Sequence, residues 1–426
     1  MPDEAAQYRK GRRSIWGRAR FQLAVGLALA VLLPWAVRVW LEVSQLEWPS
    51  LQNSLAGTFV ALVGGFYGFR KLSRYPGVRA SYNILPIFAV SYGLVLAVFF
   101  FARLDYSRLH FAASFALCVA WHYVIYFKLQ RKPRRYGYVP AGDVGRLTGI
   151  AAVDWVDLAA APERARDVDV IVADLRAELG EHWERFLADR ALDGTLVMHV
   201  KQMEESLTGR VAIEHLSENN FGSLIPGVVY GKLKRIGDVA AALAMLPLLA
   251  PAMLGIAVAI RLDSPGPALF RQRRTGYRGV AFEMLKFRTM RSDAEADADP
   301  RRAAMTGQRD LRVTRVGRFL RRYRLDELPQ VINVLKGEMS WIGPRPEALA
   351  LSAWYEAELP FYRYRHIVRP GITGWAQLKQ GHVAEVDQVL EKLHYDFYYI
   401  KNFSPWLDLL ILAGTLRVVL TGYGAR

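Results

Sequence analysis

The N-terminal third of the chain alternates between long apolar stretches and short polar ones. Four apolar stretches, at about residues 21–40, 51–69, 84–102 and 109–127, have the length of ~20 residues that a helix needs to cross a bilayer. The pattern predicts an α-helical bundle of four transmembrane helices within residues 1–133. A lipid bilayer is therefore the first partner that the sequence indicates.

The connections between these stretches differ in charge. Lys and Arg are concentrated before the first (RKGRRSIWGRAR), between the second and third (RKLSRYPGVR) and after the fourth (KLQRKPRR). The connection between the first and second, LEVSQLEWPSLQN, carries two Glu and no Lys or Arg. Because cytoplasmic loops are enriched in Lys and Arg, both ends of the bundle and its central loop are predicted to face the cytoplasm.

Residues 134–215 have the pattern of a small α/β domain. The short apolar runs YGYVP, VDWVDL, VDVIVADL and TLVMHV predict buried strands, and HWERFLADRAL between the last two predicts a helix. Strand–helix–strand alternation is typical of a parallel, Rossmann-like sheet, here degenerate and CoA-binding-like. The run Gly142–Gly145 has the character of a phosphate loop, but its spacing is not the dinucleotide fingerprint, which favours a structural or regulatory role.

A fifth apolar stretch, residues 239–260, is long enough to cross the membrane, but its context argues against a crossing. Basic clusters flank it on both sides, so a crossing would place one of them outside. Pro247 and Pro251 interrupt it, and each removes a helix hydrogen bond and bends the helix. These features predict a re-entrant helix over 236–261 that breaks at the Ala250–Pro251 step and returns to the same side.

Composition narrows the class of protein. A hydrophobic fraction of 52% together with a formal charge of +16 is typical of a membrane protein with basic cytoplasmic faces. Nucleic acid is disfavoured as a partner, because much of the basic charge flanks apolar stretches. The single cysteine, Cys118, excludes an intramolecular disulfide framework.

The strongest candidate for chemistry is the run RRYRLDELPQ at 321–330. Apolar residues at helical spacing follow Asp326 and Glu327, so a helix is predicted to begin near Asp326. An isolated Asp-Glu pair is most often a helix cap. Beside Arg321 and Arg324, however, two carboxylates suit a site for a metal and a polyphosphate. The arginines are expected to keep Asp326 ionised and nucleophilic, and Glu327 offers the hard oxygen that Mg²⁺ prefers.

Two further basic motifs fit phosphate chemistry. Strand alternation would place Lys286 and Arg288 of KFRTM on one face. The turn WIGPRP at 341–346 presents Arg345 on a backbone restricted by two prolines, which suits bidentate recognition of a phosphate. Each motif alone is more often a solvated surface feature.

Together these motifs resemble the bacterial sugar transferase family, the monotopic polyprenyl-phosphate phosphoglycosyl transferases. The resemblance covers nearly the whole chain from about residue 228, and the N-terminal half resembles the long members that initiate exopolysaccharide or O-antigen repeat units. The motifs that carry it are KRIGD (234–238), DSPGPALFRQRRTG (263–276), KFRTM (286–290), RLDELPQVINVLKGEMSWIGPRP (324–346), RPGITGWAQ (369–377) and YDFYYIKN (395–402).

The resemblance implies a two-step reaction. Asp326 would attack the β-phosphate of a UDP-sugar and release UMP, with Glu327 holding Mg²⁺, and undecaprenyl phosphate would then attack the intermediate. Lys286 would act beside this pair at the inner membrane of a bacterium. The substrate-binding positions implied by the family are Arg288, Arg321, Arg345, Gln377 and Asp396.

The predicted architecture has three parts: the membrane bundle (1–133), the sheet domain (134–215) and a mainly α-helical, α+β catalytic domain (216–426) anchored by the re-entrant helix. Family members often carry Asn-Gly-Arg after the WAQ motif, whereas this chain has Leu378–His382, so the nucleotide contacts stay open. Glucose and galactose are favoured as the sugar by analogy with long members, and acetamido sugars stay open. A homodimer is the commonest symmetric assembly.

Two other classes of function are compatible with parts of the sequence. A non-catalytic membrane scaffold for polysaccharide assembly would need the helices and the sheet domain but not the Asp-Glu pair. A sugar transferase that moves the sugar without its phosphate would release UDP instead of UMP.

Overall fold

The computed structural model describes residues 15–41, 48–72, 80–129, 135–150, 153–160, 164–165, 167–212, 225–291, 312–380 and 386–421. Contacts divide the chain into two compact units at Thr208–Gly209. The predicted boundary near residue 215, most of the basic segments and His382 lie outside the described residues.

All four N-terminal apolar stretches are helical. They pack through a shared apolar core that includes Leu62, Ile84, Phe88, Phe111 and Cys118. The helices are α1 (Ala19–Leu41, with a π-type turn at Ala28–Leu32), α2 (Trp48–Leu72), α3 (Ala80–Phe101) and α4 (Arg108–Leu129).

Helix α2 differs from its neighbours in polarity. Among the described residues, α1, α3 and α4 are long and apolar enough to cross a membrane, whereas the 25-residue α2 is long enough but less apolar. Its buried side carries Ser50, Ser54 and Thr58. The hydroxyls of Ser54 and Thr58 donate to carbonyls one turn earlier, so their polar groups are satisfied within the helix. Three of the four predicted membrane helices therefore have the length and composition of membrane-crossing helices, and α2 is partly polar on its buried side.

The sheet domain matches its predicted class. Four parallel strands pair in the order β2-β1-β3-β4, which confirms the parallel α/β prediction. The amide of Asp143, in the loop after β1, donates to the carboxylate of Asp174. The elements are β1 (Arg135–Tyr138), α5 (Gly145–Thr148), β2 (Asp154–Asp157), β3 (Val170–Ala173), α6 (Glu181–Leu192), β4 (Leu196–His199) and α7 (Val200–Thr208).

The second unit is mainly helical with two small sheets. Strands β5 and β6 form an antiparallel hairpin, and β7 and β8 form a parallel pair. The elements are α8 (Val228–Asp263), β5 (Leu269–Thr275), β6 (Ala281–Phe287), α9 (Arg315–Arg322), α10 (Gln330–Lys336), β7 (Ser340–Ile342), α11 (Leu349–Glu358), β8 (Gly371–Thr373), α12 (Trp375–Lys379), α13 (Val386–Lys401) and α14 (Pro405–Thr421).

Helix α8 contains the fifth apolar stretch as one 36-residue helix, with Pro247 and Pro251 inside it. The helix is continuous across the Ala250–Pro251 step, so a break there stays a prediction. Most of its surface is exposed, and the large exposed apolar side chains are Val228, Val229, Leu233, Ile236, Leu243, Met245, Leu248, Leu254, Val258 and Leu262.

Both ends of α8 are held by the same folded unit. Near its start, the carbonyl of Asp238 accepts a hydrogen bond from Trp341 Nε1 at 3.1 Å. At its end, Asp263 Oδ2 accepts from the amide of Val316 at 3.2 Å. A helix that crosses a bilayer has ends on opposite sides of a hydrocarbon core ~30 Å thick. Attachment of both ends to one unit therefore favours an α8 that enters and leaves on the same side.

This attachment predicts that the C-terminal end of α8 is not exposed outside the cell. In a Cys118→Ala background, a cysteine introduced at Leu262, an exposed position at that end, should resist a membrane-impermeant thiol reagent added to intact cells. Ser44→Cys, in the acidic loop that the charge rule places outside, is the positive control. Labelling of the Leu262 variant as fast as the Ser44 variant would mean that α8 crosses the membrane.

Candidate active site

Asp326 and Glu327 lie on a short 3₁₀ turn, Leu325–Glu327, between α9 and α10. The turn follows Arg324, whose φ of 58° is left-handed, and the α-helix begins only at Gln330. The predicted helix start is thus close, but the pair itself is not part of an α-helix. Both carboxylates are buried, with 9% and 7% of the residue surfaces exposed.

Glu327 is surrounded by cations. Arg345 contacts it with both terminal nitrogens, Nη2 donating to Oε1 at 2.7 Å and Nη1 to Oε2 at 3.3 Å. Lys286 Nζ lies 3.8 Å and Arg324 Nη1 lies 3.5 Å from the same Oε1. Burial raises the pKa of Glu327, but the charges of Arg345 and Lys286 outweigh burial and hold the pKa far below its ordinary value. Glu327 is therefore ionised at neutral pH.

Asp326 has the opposite electrostatic environment. Burial and the adjacent charge of Glu327 raise the pKa of Asp326, and the nearby cations only partly offset them. The shift of this pKa therefore runs against the expectation that the arginines favour the ionised form, because burial and Glu327 outweigh them. The guanidinium of Arg345 pairs with Glu327.

Lys286 reaches the site from β6, where it pairs with Phe270 of β5. Burial, with the neighbouring charge of Arg345, lowers the pKa of Lys286 to about 8 although Glu327 acts in the other direction. The structure thus brings together Lys286, Asp326, Glu327 and Arg345, four of the side chains that the sequence singled out.

The turn that carries Arg345 is fixed through its own backbone. Tyr399 donates to the carbonyl of Ile342 at 3.1 Å, and the amide of Gly371 donates to that of Pro344 at 2.9 Å. At Gly343, a Cβ atom would meet the carbonyl of Arg369 at 2.3 Å, so only glycine permits this backbone approach. The prediction of a rigid turn is confirmed. In the structure, the bidentate partner of Arg345 is the carboxylate of Glu327, whereas the sequence predicted a phosphate.

Behind the turn lies a second group of buried charges. Arg365 donates to Asp396 Oδ2 from Nε at 3.1 Å and from Nη2 at 2.8 Å, and its Nη2 also donates to the carbonyl of Arg345 at 2.9 Å. Lys392 donates to Glu347. Burial raises the pKa of Glu347, but Lys392 and Arg365 outweigh it and lower the pKa to about 2. Asp396 therefore contacts Arg365, which in turn holds the backbone of Arg345.

Arg288, Arg321 and Gln377 make structural contacts instead. The guanidinium of Arg288 donates to the carbonyls of Ser264 and Pro265, both at 2.7 Å, at the end of α8. Arg321 Nε donates to Thr289 Oγ1 at 2.9 Å, and Gln377 Nε2 donates to the carbonyl of Ile372 at 3.4 Å. Substrate binding by these three residues and by Asp396 stays a prediction.

The carboxylate pair fits a magnesium ion that takes most of its ligands from substrate phosphate and water. Within the described residues, no group of three or more His, Cys, Asp and Glu side chains could hold a metal by itself. Mg²⁺ commonly takes one or two carboxylates and completes its shell with substrate phosphate and water. Glu327, ionised and next to Asp326, suits that arrangement, although its oxygens are shared with Arg345.

Comparison with known proteins gives the family. The family described as "Bacterial sugar transferase" matches residues 229–422. The UDP-N-acetylgalactosamine-undecaprenyl-phosphate N-acetylgalactosaminephosphotransferase of Aeromonas hydrophila is 44% identical over 94% of this chain and 95% of its own length. The chain belongs to the bacterial sugar transferase family. The resemblance noted in the sequence is thereby confirmed over both halves of the chain.

Other relatives match less than half of the chain. The UDP-glucose:undecaprenyl-phosphate glucose-1-phosphate transferase of Caulobacter vibrioides is 45% identical over 47% of this chain and 74% of its own length. The Escherichia coli K12 protein of the same name is 44% identical over 42% of this chain and 38% of its own length. The residues that match the family, 229–422, include Asp326 and Glu327.

In this sugar transferase, the sequence motifs point to Asp396 but not to the other members of the second group of buried charges. Arg274 lies within the motif DSPGPALFRQRRTG, and Glu347 directly follows the WIGPRP turn, but neither motif indicates which residue the side chain contacts. Arg274 Nη1 donates to the carbonyl of Pro346 at 2.6 Å and lies 3.9 Å from Glu347 Oε2. Only the fold brings the partners together, because they are separated by more than 70 positions in sequence.

The Arg365–Asp396 pair should be important for stability. Asp396→Asn leaves the guanidinium of Arg365 buried without its counter-charge, and breaking such a pair costs about 3–5 kcal/mol. The free energy of unfolding, measured by denaturant titration in detergent, should fall by that order. Arg363→Gln, which removes an ion pair to Glu356 in which the arginine side chain is 80% exposed, should cost less than about 1 kcal/mol. Equal losses in the two variants would contradict this assignment.

Proposed function

We propose that this chain transfers a sugar 1-phosphate from a UDP-sugar to undecaprenyl phosphate, releasing UMP and starting the repeat unit of a bacterial surface polysaccharide. The observation that carries the proposal is the burial of Asp326 and Glu327 beside Lys286 and Arg345, in a chain whose helices are long and apolar enough to cross a membrane. The undecaprenyl phosphate and UDP-sugars in the names of its relatives support the same reaction.

In the first step, a carboxylate oxygen of Asp326 attacks the β-phosphorus of the UDP-sugar. The bond from that phosphorus to the bridging oxygen breaks, and UMP leaves with the electron pair. In the second step, a phosphate oxygen of undecaprenyl phosphate attacks the same phosphorus and releases Asp326. The products are UMP and undecaprenyl-diphospho-sugar. A course with a covalent intermediate of this kind is expected to show ping-pong kinetics.

The surrounding residues divide the work. Lys286 and Arg345 offset negative charge that accumulates on the transferred phosphoryl oxygens. Glu327, ionised and fixed by Arg345, would hold Mg²⁺, which supplies positive charge to the diphosphate and to the ionised form of Asp326. Arg365 and Arg274 keep the Arg345 turn in place from behind.

The sugar that we propose to test first is N-acetylgalactosamine. The Aeromonas hydrophila relative, which matches over nearly the full length of this chain, is named for that sugar. Relatives named for glucose match over less than half of it. Sugar selection depends on hydroxyl and amide contacts that family motifs do not encode, so UDP-glucose and UDP-galactose belong in the same assay.

The site is proposed to lie at the inner membrane and to face the cytoplasm, the compartment in which UDP-sugars are made. The basic segments around α1 to α4 support this orientation by the charge rule. The attachment of both ends of α8 to one unit supports a re-entrant anchor that keeps Asp326 near the lipid phosphate.

The product nucleotide tests the reaction. Purified protein with Mg²⁺, UDP-sugar and undecaprenyl phosphate should release UMP. Asp326→Asn should lower this release by at least about 10³-fold, because it removes the nucleophile. Release of UDP would indicate a transferase that leaves the phosphate behind. No nucleotide release by wild type with any of the three sugars would favour a scaffold.

Glu327→Gln tests the metal role. The Mg²⁺ concentration for half-maximal UMP release should rise by about tenfold or more, because a neutral amide is a weaker ligand than a carboxylate. A folding defect alone would lower the maximal rate without moving that concentration. Glu283→Gln, on the same strand as Lys286 but in an exposed ion pair with Arg271, should leave it unchanged. An unaltered magnesium requirement in Glu327→Gln would exclude Glu327 as the ligand.

A further inference from the structure

Gln330 carries a side-chain amide that is almost completely buried. Only 1% of its surface is exposed, and neither Nε2 nor Oε1 has a hydrogen-bond partner among the described residues. An unsatisfied buried amide costs about 1–3 kcal/mol. Selection for stability alone would favour an apolar side chain of similar size at this position. The amide therefore has the character of a group kept for a ligand.

The position of Gln330 relates it to the carboxylate pair. The amides of Leu328, Val331 and Ile332 donate to carbonyls three residues earlier, so this stretch has 3₁₀ character. In such a stretch, residues three apart lie on one side. Gln330 is therefore in line with Glu327 on one flank and Asn333 on the other.

Both flanking residues contact β6. Glu327 lies 3.8 Å from Lys286 Nζ, and Asn333 Oδ1 accepts from the amide of Leu285 at 3.0 Å. Asn333 Nδ2 also donates to the carbonyl of Glu283 and to Glu338, both at 2.7 Å. Two buried amides thus stand three residues apart on one side of α10. Within the described part of the chain, the side chain of Asn333 is fully hydrogen-bonded, whereas that of Gln330 has no partner.

The chemistry of the amide limits its ligand. Nε2 offers two donors, and Oε1 requires a donor from outside. Phosphate oxygens at neutral pH satisfy only the donors, whereas sugar hydroxyls also supply a donor to Oε1. A phosphorylated sugar presents both kinds of group within the span of one side chain.

We propose that Gln330 binds the transferred sugar phosphate, with Nε2 donating to a phosphoryl oxygen and Oε1 accepting from a sugar hydroxyl. The inference rests on the proposed function and adds to it a contact that depends on the sugar. Gln330 is then a catalytic residue that orients the group moved between UMP and the lipid phosphate.

The test compares Gln330→Leu with Asn333→Leu. Gln330→Leu removes an unsatisfied amide, so the melting temperature of the protein without substrate should be unchanged or higher. Asn333→Leu removes structural hydrogen bonds and should lower it. In contrast, UMP release by Gln330→Leu at saturating Mg²⁺ should fall by about 10- to 100-fold, the range expected for a hydrogen bond to a charged group. Ser352→Ala is the control: it removes a buried hydroxyl that also has no partner among the described residues, and it should keep wild-type activity.

Binding in the Asp326→Asn background locates the contact. UMP should stabilise this protein against heat equally with and without Gln330→Leu, whereas the further stabilisation by UDP-sugar should be lost with it. The inference is overturned if Gln330→Leu unfolds as readily as Asn333→Leu, if it keeps full activity, or if it weakens UMP binding equally. A shifted magnesium requirement would assign the amide to metal-bound water instead. Wild-type protein that releases no UMP would refute the proposed function, and this inference with it.

Discussion

The active site depends on one interaction, the bidentate pair between Arg345 and Glu327. Either charge alone, buried as deeply as this, would cost several kcal/mol to remove from water. The pair is tolerable because the arginine is held in a single geometry. Its turn is fixed at successive carbonyls by Tyr399, Gly371, Arg365 and Arg274, so little side-chain freedom remains to be lost when the guanidinium meets the carboxylate.

The charge balance around this pair explains why the site suits an anionic substrate. Five largely buried cations of the site and of the group behind it, Lys286, Arg274, Arg345, Arg365 and Lys392, face four carboxylates, Asp326, Glu327, Glu347 and Asp396. Four of the cations have a carboxylate or carbonyl partner within 3 Å, whereas Lys286 lies 3.8 Å from its nearest carboxylate. A diphosphate that enters here finds positive charge already desolvated and oriented, so little reorganisation is needed as the reaction proceeds.

The sequence predicts the helices, the parallel sheet and the convergence of KFRTM, LDE and WIGPRP, because periodicity and family motifs are local signals. It could not assign the partners of Asp396 or Glu347, since the fold alone joins Arg365 to Asp396 across 31 residues and Lys392 to Glu347 across 45. The same limit explains Arg288. Strand alternation applies only as far as Phe287, where the strand ends. Arg288 lies beyond it, and its guanidinium donates to the carbonyls of Ser264 and Pro265, directly after α8. The direction of the Asp326 pKa shift could not be predicted either, because its largest cause, the burial of the carboxylate, is determined by the fold.

The backbone at Arg324 shows how two consecutive carboxylates can both face inward. A left-handed conformation costs a residue other than glycine about 1–2 kcal/mol. The half-exposed contact from Arg324 to Glu327 returns less than about 1 kcal/mol, so the side chain does not explain the conformation. The conformation is instead imposed by what surrounds it: α9 is anchored by buried Leu320, and α10 by buried Val331 and Val334. The chain must connect these anchors within a few residues, and a left-handed residue followed by a 3₁₀ turn does so while keeping Asp326 and Glu327 buried beside Lys286. The packing of two helices thus maintains a strained turn that places the two carboxylates side by side.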